Sequence, residues 1–270
     1  GTSEEIQILY RGYNTLVEQT QQLLQTIYEE EREKNEYQFR LIQEQIKPHF
    51  LYNTLEMIKS MIDLGIYEEA GEAITTLARF YRYSLSKGSD IITIGTEIEM
   101  VKQYLYIEKL RHMEYFDYEI NCEKDAMQYV IPKLILQPIL ENAIVHGTAS
   151  DGRMCFVSLR VQTAEGAIVI TVKDDGNGIV PEQLHQLNQD LEEAGGKERD
   201  SFGLFSINRR VRLLYGIEYG IRLESELGKG TCVVLRIPKL EHLEETVSMI
   251  LERDEKVAGG NYDEEACHHR

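Results

Sequence analysis

Basic residues are scarce in this 270-residue chain: 29 Lys and Arg stand against 46 Asp and Glu, a formal net charge of −17. That imbalance repels phosphate backbones and excludes roles built on broad nucleic-acid binding, leaving only local cationic clusters to hold a nucleotide. Cysteine is scarce too. Cys122, Cys155, Cys232 and Cys267 lie far apart with no metal-type spacing, which reads as free thiols in a reducing compartment. No apolar run approaches the roughly 20 residues of a spanning helix. The Gly-Thr-Ser-Glu-Glu start lacks the basic head and apolar segment of a signal peptide. Taken alone, the sequence predicts a cytoplasmic protein. With 42% hydrophobic and 28% charged residues it is neither disordered throughout nor membrane-embedded, and it is long enough for two domains.

The N-terminal half is helical in texture. Ile6, Leu9, Tyr13, Leu16, Thr20, Leu23 and Ile27 follow a strict three-four spacing, the narrow seam of paired helices. The seam falters within Glu29–Lys34 and resumes at Phe39, Ile42 and Ile46, a phase slip that alters supercoiling. Pro48 predicts a kink, and helical periodicity continues over Phe50–Leu64. On a wheel of about 100° per residue, Leu51, Leu55, Ile58 and Ile62 form an apolar stripe opposite His49, Asn53, Glu56 and Ser60. Gly65 ends that helix. A second, roughly Glu68–Ser86, carries Ala70, Ile74, Leu77, Tyr81 and Leu85 on one face. Two such hairpins complete a four-helix bundle.

From about Tyr115 the texture becomes α/β. Strands are expected at Tyr118–Asn121, Met154–Gln162, Ala167–Lys173, Ile221–Ser225 and Cys232–Ile237, and buried or amphipathic helices at Pro132–His146 and Leu204–Leu214. Glu182–Ser201 reads as a mobile polar loop, residues 240–253 as one more helix, and Asp254–Arg270 as a disordered tail.

Four motifs carry chemistry. Asp174-Asp175-Gly176-Asn177-Gly178 follows an Ile/Val/Thr strand; a carboxylate there can accept an exocyclic amine, though a plain turn has the same residues. Glu141-Asn142 sits in an apolar helix, where unpartnered polar groups are costly. It reads as a Mg²⁺ site or as a paired polar couple in the core. Gly203-Leu204 opens a helix after the polar loop, and Gly228-Lys229-Gly230-Thr231 makes a second glycine turn; both suit a phosphate chain.

In this order the four resemble the Bergerat-type ATPase domain shared by histidine kinases, gyrase, MutL and heat-shock chaperone ATPases. The N box is Leu136-Gln-Pro-Ile-Leu-Glu-Asn-Ala-Ile-Val-His-Gly147. Upstream, Gln45-Ile-Lys-Pro-His-Phe-Leu-Tyr-Asn-Thr-Leu55 resembles the phosphoacceptor box of LytS/YesM-type sensor histidine kinases. Arg82-Tyr-Ser-Leu85, Tyr104–Arg111 and Arg209–Gly216 also match that family, and residues 4–17 look like the second helix of a HAMP module.

The resemblance implies a fold of type α + α/β: a coiled-coil and four-helix-bundle dimerisation domain followed by an α/β-sandwich ATP-binding domain. The expected boundaries are 1–28 (HAMP-like helix), 29–112 (dimerisation and phosphotransfer), 113–239 (ATPase) and 240–270 (C-terminal helix and tail). It further implies ATP and Mg²⁺, with Asp175 on adenine, Asn142 on Mg²⁺ and residues 180–202 as an ATP lid. Gly176, Gly178, Gly203, Leu204, Gly228, Gly230 and Thr231 would line the nucleotide. His49 would take the γ-phosphoryl group and pass it to an Asp of a response regulator. The implied partners are a second copy of the chain and that regulator's receiver domain, with no direct nucleic acid and a bacterial membrane reached through a sensor half before residue 1.

A surface histidine suits the task, because neutral imidazole is a competent nucleophile near pH 7. Its place beside Pro48 on the polar stripe leaves it accessible. Glu141 is the candidate for assisting through metal or water; Asn53, a turn after His49, could orient a water for dephosphorylating the partner. Val145 stands where the family usually has Lys, so His146, Lys173, Lys197, Arg199, Arg209 or Arg210 would supply the missing phosphate cation. Ser206 and Lys47 each replace a usual Asn. These departures motivate a second reading, a degenerate kinase acting as an ATP- or partner-binding scaffold.

Overall fold

The computed structural model describes residues 48–85, 91–112, 115–147, 154–193 and 202–242. The heptad segment, the HAMP-like helix, the site of any kink before Pro48 and the expected C-terminal helix lie outside them. Two compact units meet at Tyr52 and Asn53; of the first, Pro48–Tyr52 are described, as the opening turn and a half of helix α1 (Pro48–Asp63).

Helix α1 buries Phe50, Thr54 and Ile58, while Leu55 and Ile62 of the expected apolar stripe stay exposed. Helix α2 (Tyr67–Ser84) buries Ala70, Ala73, Leu77, Phe80 and Ser84, leaving Ile74 exposed. In both helices the buried face is therefore rotated from the expected stripe, sharing Ile58 with it in α1 and Ala70 and Leu77 in α2. Strand β1 (Ile91–Thr93) leads into helix α3 (Ile94–Arg111), which residue periodicity did not single out. Its start is fixed by Thr93, whose Oγ1 accepts the Thr96 N–H at 3.2 Å. Its buried positions cover about half the wheel but include Glu97 and Glu108, so it lacks one clear apolar stripe. The Phe80 and Tyr104 rings, 6.3 Å apart, pack α2 on α3.

The rest is a two-layer sandwich. Strands β2 (Phe116–Cys122), β4 (Cys155–Ala164), β5 (Ala167–Asp174), β6 (Gly220–Glu226) and β7 (Gly230–Pro238) form one sheet in the order β2-β4-β5-β7-β6. Only the β2–β4 pair is parallel. Strand β3 (Val130–Pro132) pairs with β1 instead. Alternation sends Val157, Leu159, Val161, Ile168, Ile170, Val172, Val233, Leu235 and Ile237 to one buried face. Helix α4 (Leu136–Gly147) packs there across β4, β5 and β7; α5 (Pro181–Glu192) and α6 (Phe202–Tyr215) pack on β6. Ile139 and Leu140 of α4 are wholly buried.

The expected helix from Pro132 begins later, at Leu136, because Val130–Pro132 is spent on the β1 ladder and Leu134 turns at φ +61°. The expected mobile loop starts as helix α5. Its amides tie it down: Asn188 donates to Leu223 O and accepts from Leu223 N, each at 2.9 Å. Asn208 Oδ1 accepts the Ile221 N–H at 2.8 Å, while its Nδ2 donates to Leu191 O. Two asparagines thus occupy the outer edge of β6, which would otherwise offer bare backbone to another strand. Among the described residues, no helix is long and apolar enough to cross a membrane.

Candidate nucleotide and phosphoacceptor sites

The sandwich brings the N-box helix onto the glycine loop. Asp174 ends β5 in phase with Ile170 and Val172, so the pleat turns it inward, where it is 6% exposed. Its Oδ1 accepts the Gly176 N–H at 3.0 Å and the Thr231 N–H at 3.2 Å. Burial pushes its carboxyl above the usual Asp value, and the neighbouring Asp175 adds to that; the two backbone donors pull the other way.

Asp175 faces outward. It is exposed, and its Oδ1 accepts the Phe156 N–H at 2.7 Å. Of the two adjacent carboxylates, the one turned inward is Asp174, and Asp175, the one expected to meet adenine, is turned outward. Period-two alternation along Ile168–Asp174 was the signal in the sequence that distinguishes them.

Close backbone approach explains the glycines. A Cβ on Gly176 would lie 2.5 Å from Gly147 Cα, so the end of α4 can rest on the loop only if both residues lack one. At Gly230, φ is +97° and a Cβ would sit 2.0 Å from Asp174 O. The loop is stitched to the second glycine turn by Gly228 N to Asn177 O at 2.7 Å and Ile179 N to Ser225 Oγ at 2.9 Å. Ser225 Oγ in turn donates to Gly230 O.

On α4, Glu141 and Asn142 are half-buried, and His146 is exposed in the last turn. Gly203, in the first turn of α6, lies against Pro138 and the Asn142 amide. Leu204 follows it, half-buried; Gly178 is half-buried and Gly228 exposed. Glu141, Asn142, His146, Gly176, Gly178, Gly203, Leu204, Gly228, Gly230 and Thr231 thus all belong to the sandwich, on the α4 helix, the loop after β5, the start of α6 and the β6–β7 turn. Val145 is 61% exposed, so nothing in the core demanded an apolar residue there. Ser206 is exposed on α6. Of the alternative cations, Arg210 is half-buried and donates to Lys133 O at 2.9 Å; Lys197 and Arg199 lie outside the described residues.

Asp174, Thr231 N–H and the Gly176–Gly147 contact form a cradle of polar groups with no Cβ bulk, which fits a flat heterocycle bearing an amine. Asn142 turns its Nδ2 toward Gly203 at the start of α6, and its amide carries an oxygen of the kind that ligates a cation held by phosphates. Burial pushes the Cys155 thiol, beside Gly147, up to about 12, so it stays protonated and inert. On α1, His49 is exposed and Asn53 half-buried.

Residues 37–116 match the family model described as "Histidine kinase", and residues 129–241 the one described as "Histidine kinase-, DNA gyrase B-, and HSP90-like ATPase". The chain is 32% identical over 237 residues to the sensor histidine kinase YesM of Bacillus subtilis, covering 88% of this chain and 39% of that one. It is 28% identical over 223 residues to the sensor protein kinase HptS of Staphylococcus aureus, covering 83% and 42%. The chain thus spans about two-fifths of the length of these curated relatives. Among solved structures, the catalytic domain of histidine kinase ThkA aligns with a TM-score of 0.42 at 18% identity, over 56% of this chain and 95% of that one.

Proposed function

We propose that this chain, which belongs to the sensor histidine kinase family, moves the γ-phosphoryl group of ATP onto His49 and then onto an Asp of a response regulator. The observation that carries the reading is the buried Asp174 carboxylate, held by Gly176 and Thr231 beneath the helix that bears Glu141 and Asn142. Asp174 accepts the adenine amine, the role first expected of Asp175. The glycine loop passes the ring without Cβ interference, and the N–H groups at the start of α6 face the phosphates.

Asn142 would hold Mg²⁺, and the ion would supply charge neutralisation on the phosphate oxygens. The His49 imidazole nitrogen attacks the γ phosphorus in line as the bond to the bridging oxygen breaks; ADP leaves with that electron pair and the imidazole loses its N–H proton. Glu141 assists that proton's removal through water. Asn53 orients a water for the reverse task, dephosphorylating the regulator.

The exposed apolar residues of α1 and α2 support a homodimer formed through these helices: Tyr52, Leu55, Ile62, Leu64, Tyr67 and Ile74 are each more than two-fifths exposed. The full-length protein would carry a membrane-spanning sensor half before residue 1, joined through the HAMP-like helix. Val145, exposed where the family usually has Lys, favours the second reading of a scaffold that binds nucleotide without transferring phosphate.

Incubation with γ-labelled ATP and Mg²⁺, followed by acid and alkali treatment, separates the two. Acid-labile, alkali-stable label that disappears in His49→Gln is the expected result. Nucleotide binding with no label on the wild type would leave the scaffold.

A further inference from the structure

Helix α4 is held at its N-terminus by a side chain from another helix. Glu97, in the first turn of α3, is 1% exposed. Its Oε2 accepts the Leu134 N–H and its Oε1 the Leu136 N–H, both at 3.0 Å, and the Ile135 N–H also faces it. Leu134 is the one non-glycine residue of positive φ among the described residues. That left-handed turn aims successive N–H groups at one point, an anion nest at the start of a helix. The nest is filled from within the chain, which removes the α4 N-terminus from the candidates for phosphate binding.

The same turn is gripped from its other side. Arg210 of α6 donates to Lys133 O at 2.9 Å, and its charge also acts on Glu97. Helix α6 therefore lies along α4 with Gly203 against Asn142 at one end and Arg210 at the Lys133 turn at the other. Leu136 and Asn142 are six residues apart, about 9 Å along the axis. A shift of the Lys133–Leu136 turn thus moves the Asn142 amide against Gly203. Helix α3, which supplies Glu97, is itself packed on α2 through Tyr104 and Phe80.

We propose that Glu97 is a positioning residue for the metal-binding end of the nucleotide site, fixing the axial position of α4, and so of Asn142, relative to α3 and α6. The proposal rests on the nucleotide reading above. An acid was needed because three N–H groups converge on one side chain, and only a carboxylate accepts from all of them without presenting a donor of its own. Glutamine would turn an N–H₂ toward one of the backbone donors. The sequence held a signal for this residue: Glu97 stands in the apolar spacing Ile94, Ile98, Val101, Leu105, where an unpartnered acid would be costly.

The test compares ADP affinity with and without Mg²⁺ in wild type and Glu97→Gln, both checked by thermal unfolding. Adenine is held by Asp174 on β5, so the Mg²⁺-free dissociation constant should change less than twofold. The Mg²⁺-dependent gain in affinity should shrink at least fivefold. A gain equal to that of wild type overturns the positioning role, as does an equal loss with and without Mg²⁺, which would mark Glu97 as a general structural group. A wild type that binds no ADP, or binds it with no Mg²⁺ gain, would instead sink the nucleotide or metal reading beneath it. Should the variant fail to fold, amide exchange on the unaltered protein decides. Exchange at Leu134–Leu136 should slow at least threefold when Mg²⁺ is added to the ADP-bound form, and unchanged exchange overturns the proposal.

Discussion

The helices before residue 86 leave a larger share of their apolar side chains exposed than the sandwich after residue 115 does. In the sandwich, Ile139, Leu140, Val161, Ile168, Ile170 and Leu235 are wholly buried by sheet and helix of the same chain. In α1 and α2, Tyr52, Leu64 and Tyr67 are 70% or more exposed, and Leu55, Ile62 and Ile74 nearly half. The sandwich can bury its own core. The helices cannot, since a helix pair covers one stripe of each member and leaves the other to a partner. On the function proposed above, the difference separates a nucleotide-binding body that buries its own core from a phosphoacceptor element whose exposed apolar residues a second copy would cover.

The sharpest way to break that comparison is His49→Gln. Label incorporation should fall by more than 100-fold while ATP affinity, measured by equilibrium binding, stays within twofold. A parallel loss of binding would mean the two regions are not separable. Next, Asp174→Asn should weaken ATP binding by about 10- to 100-fold, the worth of hydrogen bonds to a charged group; Asp175→Asn should change it less than about threefold. The reverse order would restore adenine to Asp175.

Stability should divide along the same line. Ile139→Ala empties a site that is 0% exposed and should cost about 2–5 kcal/mol in urea unfolding. Leu55→Ala should leave the sandwich midpoint unchanged and raise the dimer dissociation constant at least tenfold by sedimentation. Equal effects would refute an apolar face reserved for a partner. Within the glycine turns, Gly230→Ala drives a Cβ into Asp174 O, whereas Gly228, at φ +79°, has nothing within 4 Å. Gly228→Ala should therefore cost only about 1–2 kcal/mol of backbone strain, and Gly230→Ala more than that.

The smallest effect concerns pH. Asp174 has a folded pKa above its ordinary value of 3.8, so the native state holds its proton more tightly than the unfolded chain. Its contribution is fully present below the unfolded value and is lost as pH rises through the folded one. Asp174→Asn should remove that part of the slope, making stability fall less as pH rises from about 4 upward. An unchanged profile from pH-dependent urea titrations would show that burial leaves this carboxyl unshifted.

The sequence was most legible where local spacing and burial agree. Strands β4 to β7 alternate with period two, and Gly176, Gly203 and Gly230 mark places where backbone approaches backbone. It was least legible where a residue's partner lies far along the chain. Helix α3, packed against α2, α4 and the strands β1 to β3, has no clean apolar stripe because its buried half includes Glu97 and Glu108. Helix α5 read as a loop because most of its side chains are polar and many are exposed; what fixes it is Asn188 on the β6 edge and the Asn208 amide of α6 on Leu191 O. Glu97 is marked in the sequence only as an acid in an apolar spacing; the Leu134 and Leu136 N–H groups that it holds lie 37 and 39 residues on.

Composition and spacing alone determined an acidic chain with paired amphipathic helices, a set of short strands and glycine turns in a fixed order, because each of these is a property of neighbours along the chain. Tertiary packing settled which helix covers the inner face of β5, which faces of α1 and α2 are covered, and what fills the N-terminus of the Asn142 helix. Those choices depend on groups up to 77 residues apart meeting in a dry interior, where an unmet hydrogen bond costs enough to select one arrangement.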